Sequence, residues 1–462
     1  MKKLLLALSL IALYSTINAQ WISQETDFTV ANRGLSEIHI IDANTVWALA
    51  YDGAPLTNTH TTADNIQEFT RTLDGGATWN KGNIDVGNTA WQINNISPVS
   101  ATTAWVSAIN NITGDPNNGV GYIYKTTNGG TNWTQQLATG FQIAGSSFLN
   151  GVYFFDANNG VAYGNPIGSG ANRKFEIYKT SDGGTNWNAV MPNGSATTPL
   201  SGEYGYNSVP TAFGNSLWFP TNKGRLYRTT DKGVTWTVSQ APLSDFGAAL
   251  PANSGNVHFS DVNNGYLLKT SGTVVTPVYT YYTTTNGGST WSAGSPFTGT
   301  RRILNYIPAT TTIVATSQAV PYGTSISTNN GVTWTDLEPS GTIQRGVGAF
   351  LNGTIGWCAG FSDGNPAGGV GIFKLTSTLT NQSFTITKFK VYPNPVKSII
   401  TITTTDVDTY TLSITDLTGK ILLSESLNGI ENTLDVSTFS SGTYFIQLNS
   451  DNRKEVVKIF KN

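Results

Sequence analysis

This chain of 462 residues is poor in the residues that staple, charge or anchor a protein. It has one cysteine, Cys358, so no internal disulfide can form. That residue sits in an apolar strand pattern and reads as core. Only 12% of residues are charged, about half the usual share, and Thr, Asn, Ser and Gly fill the difference. Lys and Arg number 26 against 28 Asp and Glu, a net charge of −2. No basic stripe is present, which argues against a nucleic-acid partner, and no polybasic cluster points to anionic lipid. The histidines are three, His39, His60 and His258, and no metal site or cofactor is expected. The apolar run Leu4 to Tyr14 is too short to span a bilayer, and no later run is long enough.

That early run has a different use. Lys2 and Lys3 precede it, small residues follow, and Ala19 stands before Gln20. Residues 1–19 read as a secretion signal cut between Ala19 and Gln20. Losing Lys2 and Lys3 changes the balance to 24 − 28, a net charge of −4. An exported chain without disulfides must be held by packing, which this length can supply.

What the sequence has in quantity is repetition. Six times it reads Ser/Thr, any residue, Asp/Asn, any residue, Gly, two residues, Trp. The third position is Asp74, Asn128, Asp182, Asp231, Asn286 and Asn329, and the last is Trp79, Trp133, Trp187, Trp236, Trp291 and Trp334. The tryptophans stand 54, 54, 49, 55 and 43 residues apart, a period that means one supersecondary unit repeated. Each copy reads as a hairpin turn. The Gly suits a positive φ, the Asp or Asn accepts hydrogen bonds from turn amides, and the Trp covers the hairpin. Asn in half the copies argues against a catalytic or metal-binding role for the acid, since a site that needs charge would not accept the amide.

The pattern resembles the Asp-box (BNR) repeat of sialidases, sortilin-type receptors, a family of xyloglucanases and the photosystem II assembly factor family. The resemblance implies a β-propeller and is silent on activity. A second repeat supports four strands per unit: Ile41-Asp42-Ala43-Asn44, Phe155-Asp156-Ala157-Asn158 and Ser260-Asp261-Val262-Asn263 read as turns between first and second strands. Val347–Phe350, Gly356–Gly360 and Gly371–Leu375 read as three strands of a further unit without an Asp box. Trp21-Ile22-Ser23-Gln24 matches the Trp-led segment after an Asp box and would supply its fourth strand. The fold expected is all-β: a seven-bladed propeller over residues 20–375, with six blades as the alternative, then a linker, 376–384, and a small β-sandwich, 385–462.

In that last segment Tyr392-Pro393-Asn394-Pro395 precedes short strands at Ile399–Thr403, Thr411–Thr415, Ile421–Ser424, Thr443–Leu448 and Val456–Phe460. With Asp416…Gly419-Lys420, Ser441-Gly442-Thr443-Tyr444-Phe445 and the basic end Lys454, Lys458, Lys461, it closely resembles the type A sorting domain of the type IX secretion system in Bacteroidetes. The resemblance implies export across the outer membrane by that machinery, then release or attachment at the surface.

Both repeated turns leave one face of a propeller, and the variable connections leave the other. The latter fall in 51–68, 112–121, 164–173, 191–206, 241–256, 292–302, 339–345 and 362–369. Variable loops on a rigid scaffold are where binding is expected. Trp91, Phe141, Tyr204, Tyr206 and Tyr322 are candidates to stack on sugars or peptide side chains, and Arg225, Arg301, Arg302 and Arg345 to pair with carboxylates. A polysaccharide or extracellular protein is the expected ligand. The competing reading is a glycoside hydrolase. Sialidases carry a Phe/Tyr-Arg-Ile-Pro motif, of which Arg301-Arg302-Ile303 is an echo without the proline. The xyloglucanase-like family needs two carboxylates, for which Glu203, Asp115 and Asp245 are the loop acids available, but it usually pairs two propellers and this chain has room for one. The loop Gly114-Asp115-Pro116-Asn117-Asn118 offers oxygen ligands for calcium, and turn chemistry explains it as well.

Overall fold

The computed structural model describes residues 21–53, 65–136, 140–190, 197–207, 210–250, 252–338, 341, 343–365, 370–376, 389–404, 410–417, 420–450 and 453–462. The expected signal, with Ala19 and Gln20, lies outside them, as does most of the expected linker. Two compact units form, Met1–Asn381 and Gln382–Asn462.

In the first unit seven antiparallel sheets follow one another among the described residues. Sheet 1 begins with Ala31–Ile40, sheet 2 with Gln92–Pro98, sheet 3 with Leu149–Phe154 and sheet 4 with Thr211–Phe213. Sheet 5 begins with Ser254–Phe259, sheet 6 with Ile303–Tyr306 and sheet 7 with Gly348–Phe350. Each continues as an up-and-down meander. Sheet 7 has only three strands of its own, and its fourth is Trp21–Glu25, paired antiparallel to Gly371–Leu375 with Trp21 opposite Leu375. The short strand Phe361–Asp363, which the sequence did not suggest, adds to the edge of sheet 1.

The apolar residues of each sheet face its neighbours, so the core is divided among the interfaces. Trp47, Leu49 and Phe69 of sheet 1 pack with Ile96, Val106 and Tyr124 of sheet 2. Trp105 of sheet 2 meets Val152 and Phe154 of sheet 3, and Tyr163 of sheet 3 meets Phe219 and Tyr227 of sheet 4. Sheets 4 and 5, 5 and 6, and 6 and 7 share equivalent clusters. The last joins Trp357 and Ile372 of sheet 7 to Ile38 and Val46 of sheet 1. The clusters return to their start, and the first strand of sheet 7 packs against that of sheet 1. Sheets stacked in a closed ring about their first strands make a β-propeller.

The Asp-box turns use hydrogen bonds of one kind. The Thr or Ser hydroxyl accepts the Gly amide, at 2.8 Å from Gly76 to Thr72 and at 2.8 Å from Gly331 to Ser327. The Asp or Asn side-chain oxygen accepts an amide four residues on, at 2.8 Å for Thr235 to Asp231 and 3.0 Å for Asn132 to Asn128. The glycines sit at φ between 82° and 90°. The residue before each is also left-handed, which the pattern did not reveal: Lys232 at 56° and Asn330 at 58° hold this conformation without being glycine.

The scarce cations tie sheets together. Arg71, Lys125, Arg228 and Lys374 each lie over a buried tryptophan of their own sheet, respectively Trp47, Trp105, Trp218 and Trp357. Each also donates to backbone carbonyls of the next sheet's turns, as Lys125 Nζ does to Gly183 at 2.8 Å and Lys374 Nζ to Gly75 at 2.6 Å.

In the second unit Phe389–Tyr392, Ile399–Thr404 and Glu431–Asp435 form one sheet. Ile421–Leu427, Tyr410–Thr415, Gly442–Ser450 and Arg453–Lys461 form another. Ile400, Ile402 and Leu434 of the first and Leu412, Ile414, Ile446 and Ile459 of the second share a core.

Candidate functional site

The connections between second and third strands, and between one sheet and the next, leave the same face of the ring, because each strand reverses the last. Most of the sequence-nominated residues lie in or beside them, and the structure separates those that reach solvent from those that hold the loops.

Three of the four arginines already have carboxylate partners. Arg225 Nη1 donates to Glu203 Oε2 at 2.8 Å, both side chains being buried. The same carboxylate accepts the Thr221 hydroxyl at 2.8 Å and the Leu200 amide at 2.7 Å. These contacts knot the loop 197–207 to sheet 4 through Glu203. Arg301, fully buried, donates to Asp336 at 2.6 Å and to the carbonyls of Tyr322 and Glu338. Arg345 Nη2 reaches Glu338 at 3.0 Å, and its guanidinium lies over Phe373. Phe141 is buried too, edge-on to Tyr178, with its amide on Glu176 at 2.8 Å. These five residues are internal ties, a correction to the sequence reading of the arginines and Phe141 as ligand contacts. Tyr322 is half-buried, its carbonyl held by Arg301. Arg302 is exposed, its guanidinium 4.1 Å from the Tyr279 ring centre.

Asp115 stays in its turn, accepting the Asn117 amide at 2.7 Å. Asp245 and the tyrosines come together: the Tyr206 hydroxyl donates to Asp245, and the Tyr204 and Tyr206 rings meet edge-on at 5.6 Å. Burial and then the Asp245 carboxylate hold the Tyr206 hydroxyl well above the ordinary tyrosine range. Tyr204 remains 43% exposed and forms an aromatic ledge with its neighbour. Trp91 is half-buried and stacked on Tyr122 at 4.3 Å and 5°.

Ala90, the residue before Trp91, lines a feature that the sequence did not show. A cleft of about 640 Å³ opens between the end of the 51–68 loop and the segment leaving sheet 1. Its lining includes Arg33, Asn65, Gln67, Glu68, Asp85 and Thr89. Gln67 is fixed by donating to the carbonyls of Asn88 and Trp91, both at 2.8 Å, and Asn65 by donating to Ala90 at 2.7 Å. Glu68 is held by Arg33 at 2.9 Å, while Asp85 is exposed and accepts the Gly87 amide at 2.9 Å. Amides, carboxylates and a guanidinium give the cleft both hydrogen-bond donors and acceptors. These residues were missed because no motif marks them; the only signal was the density of Asn, Gln and Thr in one variable loop. No group of three or more metal-ligating side chains occurs among the described residues.

Residues 390–462 match the family model of the secretion system C-terminal sorting domain. The chain is thus handled by the type IX system of Bacteroidetes and is exported to the cell surface or secreted. No helix among the described residues is long and apolar enough to cross a membrane. No curated protein matches the chain in sequence. Among solved structures, YCF48 from Cyanidioschyzon merolae is 18% identical at a TM-score of 0.49, over 78% of this chain and 99% of that one. The NanB sialidase from Streptococcus pneumoniae is 15% identical at 0.40, over 77% and 70%. PorZ of Porphyromonas gingivalis, a surface component of the type IX secretion system, is 11% identical at 0.28, over 93% and 75%.

Proposed function

We propose that this is an exported, seven-bladed propeller that binds a polysaccharide at its variable-loop face, in the cleft between Asn65–Glu68 and Asn83–Ala90. The reading counts each sheet of the ring as one blade. The observation that carries it is the fixed polar lining beside a stacked aromatic pair: Gln67 and Asn65 are held by backbone carbonyls, and Trp91 is immobilised on Tyr122. A site ordered before binding loses less entropy when a sugar chain docks. The Tyr204–Tyr206 ledge supplies a second aromatic surface on the same face. An extracellular protein ligand is the other occupant this face would suit.

A catalytic reading has one supporting observation, that Glu68 and Asp85 line the same cleft. Against it, Arg33 already holds Glu68 by an ion pair at 2.9 Å. The test is to expose the protein from Gln20 onward to plant, algal and host glycans, following retention and release of reducing ends. Retention without release, weakened tenfold or more by Trp91→Ala or Gln67→Ala, is the expected result. Release that Glu68→Gln or Asp85→Asn abolishes would make it a hydrolase instead, and retention of no glycan would leave the protein-ligand reading.

A further inference from the structure

Glu37, on the first strand of sheet 1, is 2% exposed. Its Oε2 takes His39 Nε2 at 2.8 Å and the Ile96 amide of sheet 2 at 3.3 Å. Its Oε1 is buried without a hydrogen-bond partner among the described residues. Asn95 of sheet 2 reaches sheet 3 in the same manner, accepting the Val152 amide at 3.0 Å and donating to the Val152 carbonyl at 2.7 Å. An amide is therefore enough to tie first strand to first strand. Glutamate brings a second carboxylate oxygen for which no donor is found among the described residues, and a buried unpaired carboxylate oxygen is costly.

That carboxylate lines a cavity of about 280 Å³, to which His39, Thr211, His258, Asn305 and Gly348 also contribute. These come from the first strands of sheets 1, 4, 5, 6 and 7, which places the cavity on the axis of the ring, away from the cleft. A smaller space of about 240 Å³ shares His258 and Asn305 with it. Among the described residues no Lys or Arg lines the larger cavity. Burial pushes Glu37 up and pushes His258 down to about 4, so the second imidazole is neutral at pH 7 and offers an acceptor. The groups facing Glu37 are thus His39 beside it and His258 from sheet 5. Tyr163 of sheet 3 also feels its charge.

We propose that the axial cavity binds a small organic cation bearing N–H donors, a primary ammonium, with Glu37 as its counter-ion and His258 as a second acceptor. An ammonium has three donors and no acceptor, the complement of this lining, and it supplies a donor to Glu37 Oε1. The volume admits a molecule of a few heavy atoms and excludes a polymer, so this ligand differs from the one proposed for the cleft.

The experiment titrates the folded protein with methylammonium at constant ionic strength, following heat and melting temperature. Tetramethylammonium, which has the charge without the N–H, and acetate are the controls. Methylammonium is expected to bind at one site and raise the melting temperature, with neither control doing so. Glu37→Gln should weaken binding at least tenfold. His258→Phe, which fills the cavity from sheet 5 and leaves Glu37 intact, should do the same, and it is decisive by itself if the first variant does not fold. Equal responses to methylammonium and tetramethylammonium, no response to either, or a methylammonium response surviving in a folded variant would overturn the proposal.

Discussion

Asp231 and Asn128 occupy the same place in their turns with different charges, and each accepts its amide at about the same distance. The oxygen is what the turn uses. Asp231→Asn is expected to change stability by less than about 0.5 kcal/mol, because Asn286 shows that the amide nitrogen can in turn donate to the threonine hydroxyl. Asp231→Ala should cost about 1–2 kcal/mol, since three donors, the Thr229 hydroxyl and the Thr235 amide and hydroxyl, lose their acceptor. Urea denaturation of both variants separates the two outcomes. This much was legible in the sequence, because six copies display which substitutions the position tolerates. His258 gives a second prediction. The unfolded imidazole takes its proton near 6.5 and the folded one near 4, so the unfolded state holds more protons between those values. Stability is therefore full above about pH 6.5 and falls as the pH drops towards 4, by up to roughly 3 kcal/mol. Melting curves at pH 7 and 4.5 should show a smaller acid loss in His258→Gln than in the parent; an equal loss would remove His258 from the account.

Among elements, one side chain bridges sheets 7 and 1 at their junction. Gln24 Oε1 accepts the indole N–H of Trp79 and of Trp357, both at 3.2 Å, and Gln24 Nε2 donates to the Gly76 carbonyl at 2.5 Å. Gln24→Ala leaves two indole N–H groups and a carbonyl without that partner and is expected to cost about 2–4 kcal/mol. The same change at Gln135, exposed on the last strand of sheet 2, should cost less than about 0.5 kcal/mol, and thermal melts compare them. The turns and the Trp-led closing strand could be read from local sequence, because their signals lie within a few residues. The cleft could not. Asn65 and Ala90 are brought together by the path of two strands, and nothing in either segment names the other. Nor could the fate of the arginines: Arg225, Arg301 and Arg345 do bind carboxylates, but those of Glu203, Asp336 and Glu338 in the same chain.

At the scale of the whole molecule, each of the two units has a core of its own. Deleting residues 390–462 is expected to leave the melting transition of the propeller unit within about 2 °C of its position in the full chain, while abolishing appearance of the protein outside the cell. Calorimetry and cell fractionation test the two halves of that statement separately. The composition makes sense at this scale as well. With few charges available, many cations of the first unit latch sheet to sheet or loop to sheet, as Arg71, Lys125, Arg228, Lys374, Arg225 and Arg301 do.

The pairing of Trp21–Glu25 with Gly371–Leu375 sets the order in which the molecule can be finished. A ribosome, or a translocon passing the chain amino end first, delivers this clasp at the outset and its catch about 350 residues later. Until the catch arrives, every intermediate is an open arc with two raw ends. A chain cut short before Gly371 therefore lacks the partner of Trp21–Glu25 and cannot make this closure.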